Sequence, residues 1–159
     1  MFRKMRRFTQ QVSQDECIKI LKDEKRAALS VIGENGYPYT VPINFYYDEV
    51  ENKIYFHGAK QGHKIEAIQK CNKVCLTTWN QGFKKEGHWE WNATSVVVFG
   101  KAKLVMDEER IEDRLRKLAT KYYPTMEEVE EEMRSSARDH VQMVEIKVEH
   151  MTGKLVNER

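Results

Sequence analysis

The chain has 159 residues, 40% of them hydrophobic and 33% charged, a balance that excludes a disordered segment and leaves enough apolar mass for a real core. A formal net charge of +2, with Lys and Arg interspersed among nearly as many acids, argues against a nucleic-acid binder. No apolar run approaches the ~20 residues of a membrane helix, and three cysteines make no disulfide framework but fit a reducing cytoplasm.

Residues 1–12 read as a basic, irregular lead-in. No apolar signal core follows Met1-Phe2-Arg3-Lys4-Met5-Arg6-Arg7, so it can be a solvated tail or an arm resting on a neighbour. Ser13-Gln14-Asp15-Glu16 is a capping box, Ser13 being the N-cap and Glu16 reaching back. It predicts a helix through Cys17, Ile18, Ile20 and Leu21 that ends near Asp23. Ala27–Ile32 and Tyr37–Phe45 are rich in strand formers, and Asn35-Gly36 between them is a strong hairpin signal. Pro38 and Pro42 each remove a ladder donor, which predicts that the second strand is an edge or is bulged. Free backbone groups at Val41-Pro42-Ile43-Asn44 could then wall a flat ligand, or simply be an irregular edge.

The stretch 53–68 is the most informative. Ile54 and Phe56 alternate with Lys53, Tyr55 and His57, a half-buried strand pattern. Ile65 and Ile68 fall at helical spacing, with Ala67 favouring a helix from about Gly62 to Gln69. Between strand and helix lies a polar turn with Gly58, Gly62, Lys60, His63 and Lys64. A helix start exposes unpaired N–H groups and the positive end of the macrodipole, so this turn can cradle a phosphate. The alternative is an ordinary strand–helix connection carrying solvated lysines.

Lys73–Trp79 predicts a further strand, and 80–91 a loop. Trp79, Phe83, Trp89 and Trp91 around that loop can be core or can roof a planar cofactor. Thr94–Val105 predicts a long strand whose run Val96-Val97-Val98-Phe99 implies burial on both faces. Asp107 caps a helix with an apolar stripe of Ile111, Leu115, Leu118, Ala119 and Tyr122, and Pro124 stops it. Thr125-Met126-Glu127-Glu128 is a second capping box, opening an acidic helix to about Arg138 whose run Glu127–Glu132 reads as a solvated face. Val141, Met143, Val144, Ile146 and Val148 predict a closing strand. Six or so antiparallel strands, with helices inserted after the fourth and sixth, predict a mainly β chain in a small barrel, 1–159 forming one domain.

No nucleophile elbow, P-loop or dinucleotide fingerprint is present. Cys71 with Cys75, or His57 with His63, lacks the partners of a zinc site, and no metal is expected.

Together, these segments resemble the pyridoxamine 5′-phosphate oxidase-like family of FMN-binding split β-barrels, in its nitroimidazole-resistance branch. The matching pieces are the basic start, Gly36–Phe45, Ile54–Lys64, Ser95–Ala102 and Met151-Thr152-Gly153-Lys154. The resemblance implies a homodimer with FMN at the interface, Val41, Pro42, Ile43 and Asn44 lining the ring through backbone groups. It also implies His57, Gly58 and Ala59 along the ring edge and ribityl chain, Lys60, His63 and Lys64 on the phosphate, and Ser95 and Val96 contributing from the neighbouring strand. It further implies an FMN-dependent oxidoreductase acting on a small organic molecule such as a nitroimidazole, with His57 the candidate proton donor because its charge can change near neutral pH. A flavin store without turnover, or a barrel holding haem, is the alternative. Two departures stand out: the C-terminal Arg- and His-bearing segment of true pyridoxamine phosphate oxidases is missing, and Ala59-Lys60-Gln61 replaces their Ser-Arg-Lys clamp. Loop 80–91 is expected to set the substrate.

Overall fold

The structure, a computed structural model, describes residues 1–135 and 139–157. Its centre is an antiparallel sheet of eight strands. β1 (Arg26–Ile32) and β2 (Pro38–Asn44) form the expected hairpin, followed by the short β3 (Tyr46–Asp48) and then β4 (Lys53–Ala59). β5 (Lys73–Trp79), β6 (Phe83–Lys84), β7 (Trp91–Leu104) and β8 (Val141–Asn157) complete it. The order is β2-β1-β5-β7-β8-β4-β3, with β6 beside β7, and the sheet curls so that β2 meets β4 without a ladder between them. This is a split β-barrel.

Three of the four α-helices among the described residues start where the caps predict. Ser13 and Glu16 close a reciprocal capping box on α1 (Gln14–Asp23), and Thr125 and Glu128 do the same for α4 (Met126–Arg134). α2 (His63–Lys70) follows β4, and the Asp107 side chain caps α3 (Glu108–Tyr122) by accepting from the Arg110 N–H. α4 is shorter than expected; the anticipated end at Arg138 lies outside the described residues. Among the described residues no helix is long and apolar enough to cross a membrane.

Inside the barrel, Leu29, Ile54, Phe56, Leu76, Val96, Val98, Val144 and Ile146 pack with Cys17 and Leu21 of α1. Burial of this apolar surface is the main stabilising term. Tyr55 departs from the alternation expected for its strand and is fully buried, because α3 covers the outer face of β4 and packs Ile111 and Leu115 against Tyr55, Val105 and Met143. The run at 96–99 departs the other way. Val96 and Val98 face the core while Phe99 is 39% exposed, so this central strand has only one dry face.

β2 is an edge and not bulged: its register with β1 runs unbroken from Ile32↔Pro38 to Arg26↔Asn44. Both prolines therefore sit on the outermost strand, where missing donors cost least. The lead-in is not a free tail. Val12 donates to the Gly153 carbonyl at 3.0 Å, and Phe2 stacks on His150 of the chain's own β8 with ring centroids 4.7 Å apart. β8 runs well past Val148 because β7 continues beside it, one bulge at Phe99/Gly100 absorbing the twist.

An ionic layer clamps α3 to β3, β4 and β8. Arg110 reaches Glu51, Glu145 and Tyr55, and Arg114 reaches Glu51, Asp113 and Asp48. The far end of α3 is held as firmly. Lys121 donates to the Leu21 and Phe45 carbonyls at 3.2 and 3.1 Å and stands 3.9 Å over the Phe45 ring; burial pulls its pKa down to about 8. The Tyr122 hydroxyl accepts from the Phe45 N–H at 2.8 Å. These bonds fix the end of β2, and with it one wall of the site described next.

Candidate functional site

The split in the barrel is the candidate site. β2 pairs on one side only, with β1. β4 pairs with β8 along its whole length, but β3 covers only Lys53–Tyr55. The edge of β4 from Phe56 to Ala59 is therefore open among the described residues, and the open edge of β2 stands across from it. Two unpaired strand edges present backbone donors and acceptors that a polar, planar ligand can satisfy. On β2, Ile43 is buried and Val41 half-buried toward the core, while Pro42 and Asn44 face outward.

The cradle closes one end of this seam. Gly62 is the N-cap of α2 with φ 128°, and no side chain caps the helix, so its first N–H groups stay available at a conformation only glycine takes without strain. Ile65, Ala67 and Ile68 anchor α2 in the core, which fixes where those groups point. Lys64 folds back along β4 with its ammonium 5.4 Å from the Phe56 ring centroid. Its Nζ lies 3.2 Å from where a Cβ on residue 58 would stand, so Gly58 makes the room Lys64 uses. Burial lowers the Lys64 pKa, as expected for a cation lacking a counter-charge; among the described residues no ion pair ties down Lys64 or His63. His63 stacks on Tyr39 at 4.1 Å between ring centroids, its Nε2 close against Gly33. Ala59 and Lys60 are exposed at the rim.

His57 points the other way, out of the barrel. With Asn44 it lines a hollow of about 250 Å³ beneath α3 and α4, walled by Leu118, Ala119, Tyr122 and Met133, with Tyr123 and Glu132 also contributing. Burial pulls the His57 pKa below 6.5; Glu132 opposes that shift and Lys64 adds to it. An imidazole so placed is more fully neutral at pH 7 than a free one. Followed by NMR, the His57 ring is expected to titrate below the ordinary 6.5. Lys64→Ala should move its midpoint up and Glu132→Gln should move it down; a midpoint above 6.5, or no response to either change, contradicts this arrangement. The unfolded chain takes the proton first, so this residue lowers stability only as pH falls below 6.5.

The structure thus brings Val41–Asn44, His57–Ala59, His63 and Lys64 along one seam, whereas Lys60 lines a separate hollow against α3 with Val105, Ile111 and Gln142. Ser95 and Val96 are not brought there within the chain. Both lie on β7, which β8 separates from β4, and Val96 has no exposed surface, so β7 is not the neighbouring strand the resemblance implied. The aromatic group also stands elsewhere. Trp79, Phe83, Trp89 and Trp91 are 47–67% exposed where β5, β6 and β7 end, in the middle of the sheet order and away from the seam. They are neither core nor a roof within one chain. Part of the expected loop 80–91 is ordered, Phe83–Lys84 pairing with Trp91–Asn92. The contributions of Tyr39, Leu118, Tyr122 and Glu132 carry no local sequence signal, because tertiary packing alone brings them to the site.

Comparison with known proteins agrees with this architecture. The sequence pattern of the family described as pyridoxamine 5′-phosphate oxidase matches residues 13–155. No curated protein matches in sequence. Among solved structures, a candidate 5-nitroimidazole antibiotic resistance protein from Bacteroides thetaiotaomicron is similar over 92% of this chain and 87% of its own, at 23% identity and a TM-score of 0.79. An FAD-binding protein from Mesorhizobium loti is similar over 92% and 96%, at 20% identity and a TM-score of 0.69. A flavocytochrome from Azotobacter vinelandii is similar over 96% and 72%, at 20% identity and a TM-score of 0.77. At these identities the structural likeness speaks for the fold, and the match over residues 13–155 speaks for the family: the chain belongs to the pyridoxamine 5′-phosphate oxidase family.

Proposed function

We propose that the chain binds a flavin nucleotide, FMN, along the seam and works as an oxidoreductase toward a small organic acceptor, a nitroimidazole-type nitro compound being one candidate. The observation that carries this reading is the Lys64 ammonium, held over Gly58 with no acidic partner among the described residues and flanked by two open strand edges. Flavin binding by structurally similar proteins supports it.

In this reading the backbone of Val41-Pro42-Ile43-Asn44 meets the polar edge of the ring. His57, Gly58 and Ala59 run beside the ring and ribityl chain, and Lys60, His63 and Lys64 hold the phosphate together with the free N–H groups of α2. The flavin, when bound, supplies hydride and electron transfer, and the protein supplies position and electrostatics. Neutral His57 can hold or hand over a proton at a ring nitrogen on the hollow side of the seam. A second copy of the chain would close the outer face of the seam, its exposed aromatic group around Trp79 and Trp91 giving the wall that one chain lacks. Ser95 of that second copy is then the route by which β7 takes part.

The test compares FMN with riboflavin, which lacks the phosphate. A hydrogen bond to a charged group contributes roughly 1.5–3 kcal/mol, so Lys64→Ala should weaken FMN binding about 10- to 150-fold and leave riboflavin binding nearly unchanged. Equal loss for both ligands, or no loss for FMN, removes Lys64 from the phosphate. Light scattering on the same samples should report a dimer, and a monomer that still carries FMN rules out the shared wall. Bound FMN with no turnover, given reduced nicotinamide and a nitroimidazole, leaves a flavin-binding module rather than an enzyme.

A further inference from the structure

Seen from the seam, the hollow beneath the α3–α4 hairpin has two unlike ends. Its floor is Asn44 and His57, from the two strands that form the seam. Its sides are Leu118, Ala119 and Met133, each less than 9% exposed, and Tyr122, whose ring cannot swing away because its hydroxyl is bonded to the Phe45 backbone. At about 250 Å³ it has room for a single ring with a short substituent and lies below the usual span of larger ligand pockets. Glu132 stands at the other end, its carboxylate accepting from the Tyr123 hydroxyl at 3.1 Å.

Charge then sets the preference. Glu132 carries a negative charge that acts on His57 across the hollow, and His57 itself is neutral at pH 7. Among the described lining residues there is no Lys or Arg. An apolar slot of one ring's size with a carboxylate at one end favours a flat aromatic body bearing a cation or a cluster of N–H donors, and it repels an aromatic acid.

We infer that this hollow is a binding site for a small aromatic cation, an arylamidinium or arylammonium, with Glu132 as its counter-charge. This deepens the flavin reading, on which it rests for what then happens to the ligand: a ring seated here lies against His57, beside the proposed course of the flavin. As a statement about binding it stands on the hollow alone. It also gives α4 a task beyond packing against α3. The acidic run from Glu127 then holds one selective group, Glu132, while Glu128 caps the helix and Glu130 pairs with Arg116.

The experiment uses benzamidine, protonated at neutral pH, and benzoate of the same ring size, each titrated into the full chain by NMR or calorimetry with FMN affinity measured separately. Benzamidine is expected to bind and benzoate to bind at least tenfold more weakly. Glu132→Gln should weaken benzamidine about 10- to 150-fold, the loss of one charge-assisted contact, without moving FMN affinity. Glu132→Lys should reverse the order of the two probes. Equal binding of the probes, no benzamidine binding, or indifference to both substitutions overturns the inference. Benzamidine binding in a protein that takes no FMN leaves the hollow standing and the flavin reading refuted; FMN binding without benzamidine binding does the opposite.

Discussion

Arg114→Ala is expected to cost about 3–5 kcal/mol of folding stability, the range for removing one member of a buried ion pair. That is a large share of the 5–15 kcal/mol by which a domain is ordinarily stable. The Arg114 side chain is only 6% exposed; its guanidinium contacts Glu51 and Asp113 and lies 3.4 Å from Asp48, whose side chain is 8% exposed. Its carbon also stands 4.9 Å over the Tyr55 ring. Alanine would leave the buried Asp48 with the Glu51 N–H at 3.0 Å and Lys117 at 3.9 Å, without its closest cation. Much of the cost is therefore an under-compensated carboxylate and not a lost attraction. A denaturant titration should show this directly. Asp48→Asn added to Arg114→Met should recover part of the loss, since both ends of the pair then become neutral. Arg114→Ala within 1 kcal/mol of wild type would mean that α3 is docked by its apolar stripe alone.

The same layer sets the acid limit. Hydrogen bonding to Arg110 first, helped by Lys53 and Tyr55 and opposed by burial, holds the Glu51 pKa at about 2 against an ordinary 4.5. A carboxylate with a depressed folded-state pKa contributes stability that is complete above the unfolded value. That contribution is lost as pH falls from 4.5 toward about 2. Glu145 shifts the same way: burial raises its pKa, and the bonds from Arg110, Lys53 and Tyr55 outweigh that.

What could be read from the sequence was local. The caps at Ser13, Asp107 and Thr125, the Asn35-Gly36 hairpin and the strand at Lys73–Trp79 are written in neighbouring residues and stand where expected. The strand–turn–helix from Gly58 to Lys64 was legible for the same reason, since it is one short stretch. Three things were not. Tyr55 breaks its strand's alternation because a helix fifty residues later lies over it. Arg114 falls inside the apolar side of α3, which no charge pattern announces, because its partners Asp48 and Glu51 come from a different hairpin. Ser95 was linked to the cradle through the resemblance, and only the strand order separates them within the chain.

Gly100→Val is expected to be the other large loss. Residue 100 sits beside the one bulge between β7 and β8, and a Cβ there would lie 2.5 Å from the Lys147 carbonyl oxygen and 2.6 Å from Ile146 Cγ2. Neither neighbour can step aside. Lys147 O is backbone in a continuous ladder, and Ile146 is fully buried against the core and paired with Ile54 of β4. Forced overpacking costs about 1–3 kcal/mol and more where backbone must move, so Gly100→Ala should fall in that range and Gly100→Val should exceed it. Gly87 is the control, because its difficulty is the reverse: φ is 76° and nothing lies within 4 Å of an added Cβ. Its alanine variant should lose about 1 kcal/mol through left-handed backbone strain, partly offset by reduced freedom of the unfolded chain. Thermal or denaturant unfolding of these three variants separates a steric cost from a conformational one. The steric cost also reaches the site: the strand pushed by residue 100 is β8, and β8 places Met143 opposite His57. Gly100→Ala should therefore disturb the His57 resonance while Gly87→Ala leaves it in place. A Gly100→Ala variant as stable as wild type, with an unmoved His57 signal, would show that β7 and β8 are not pressed together at this bulge.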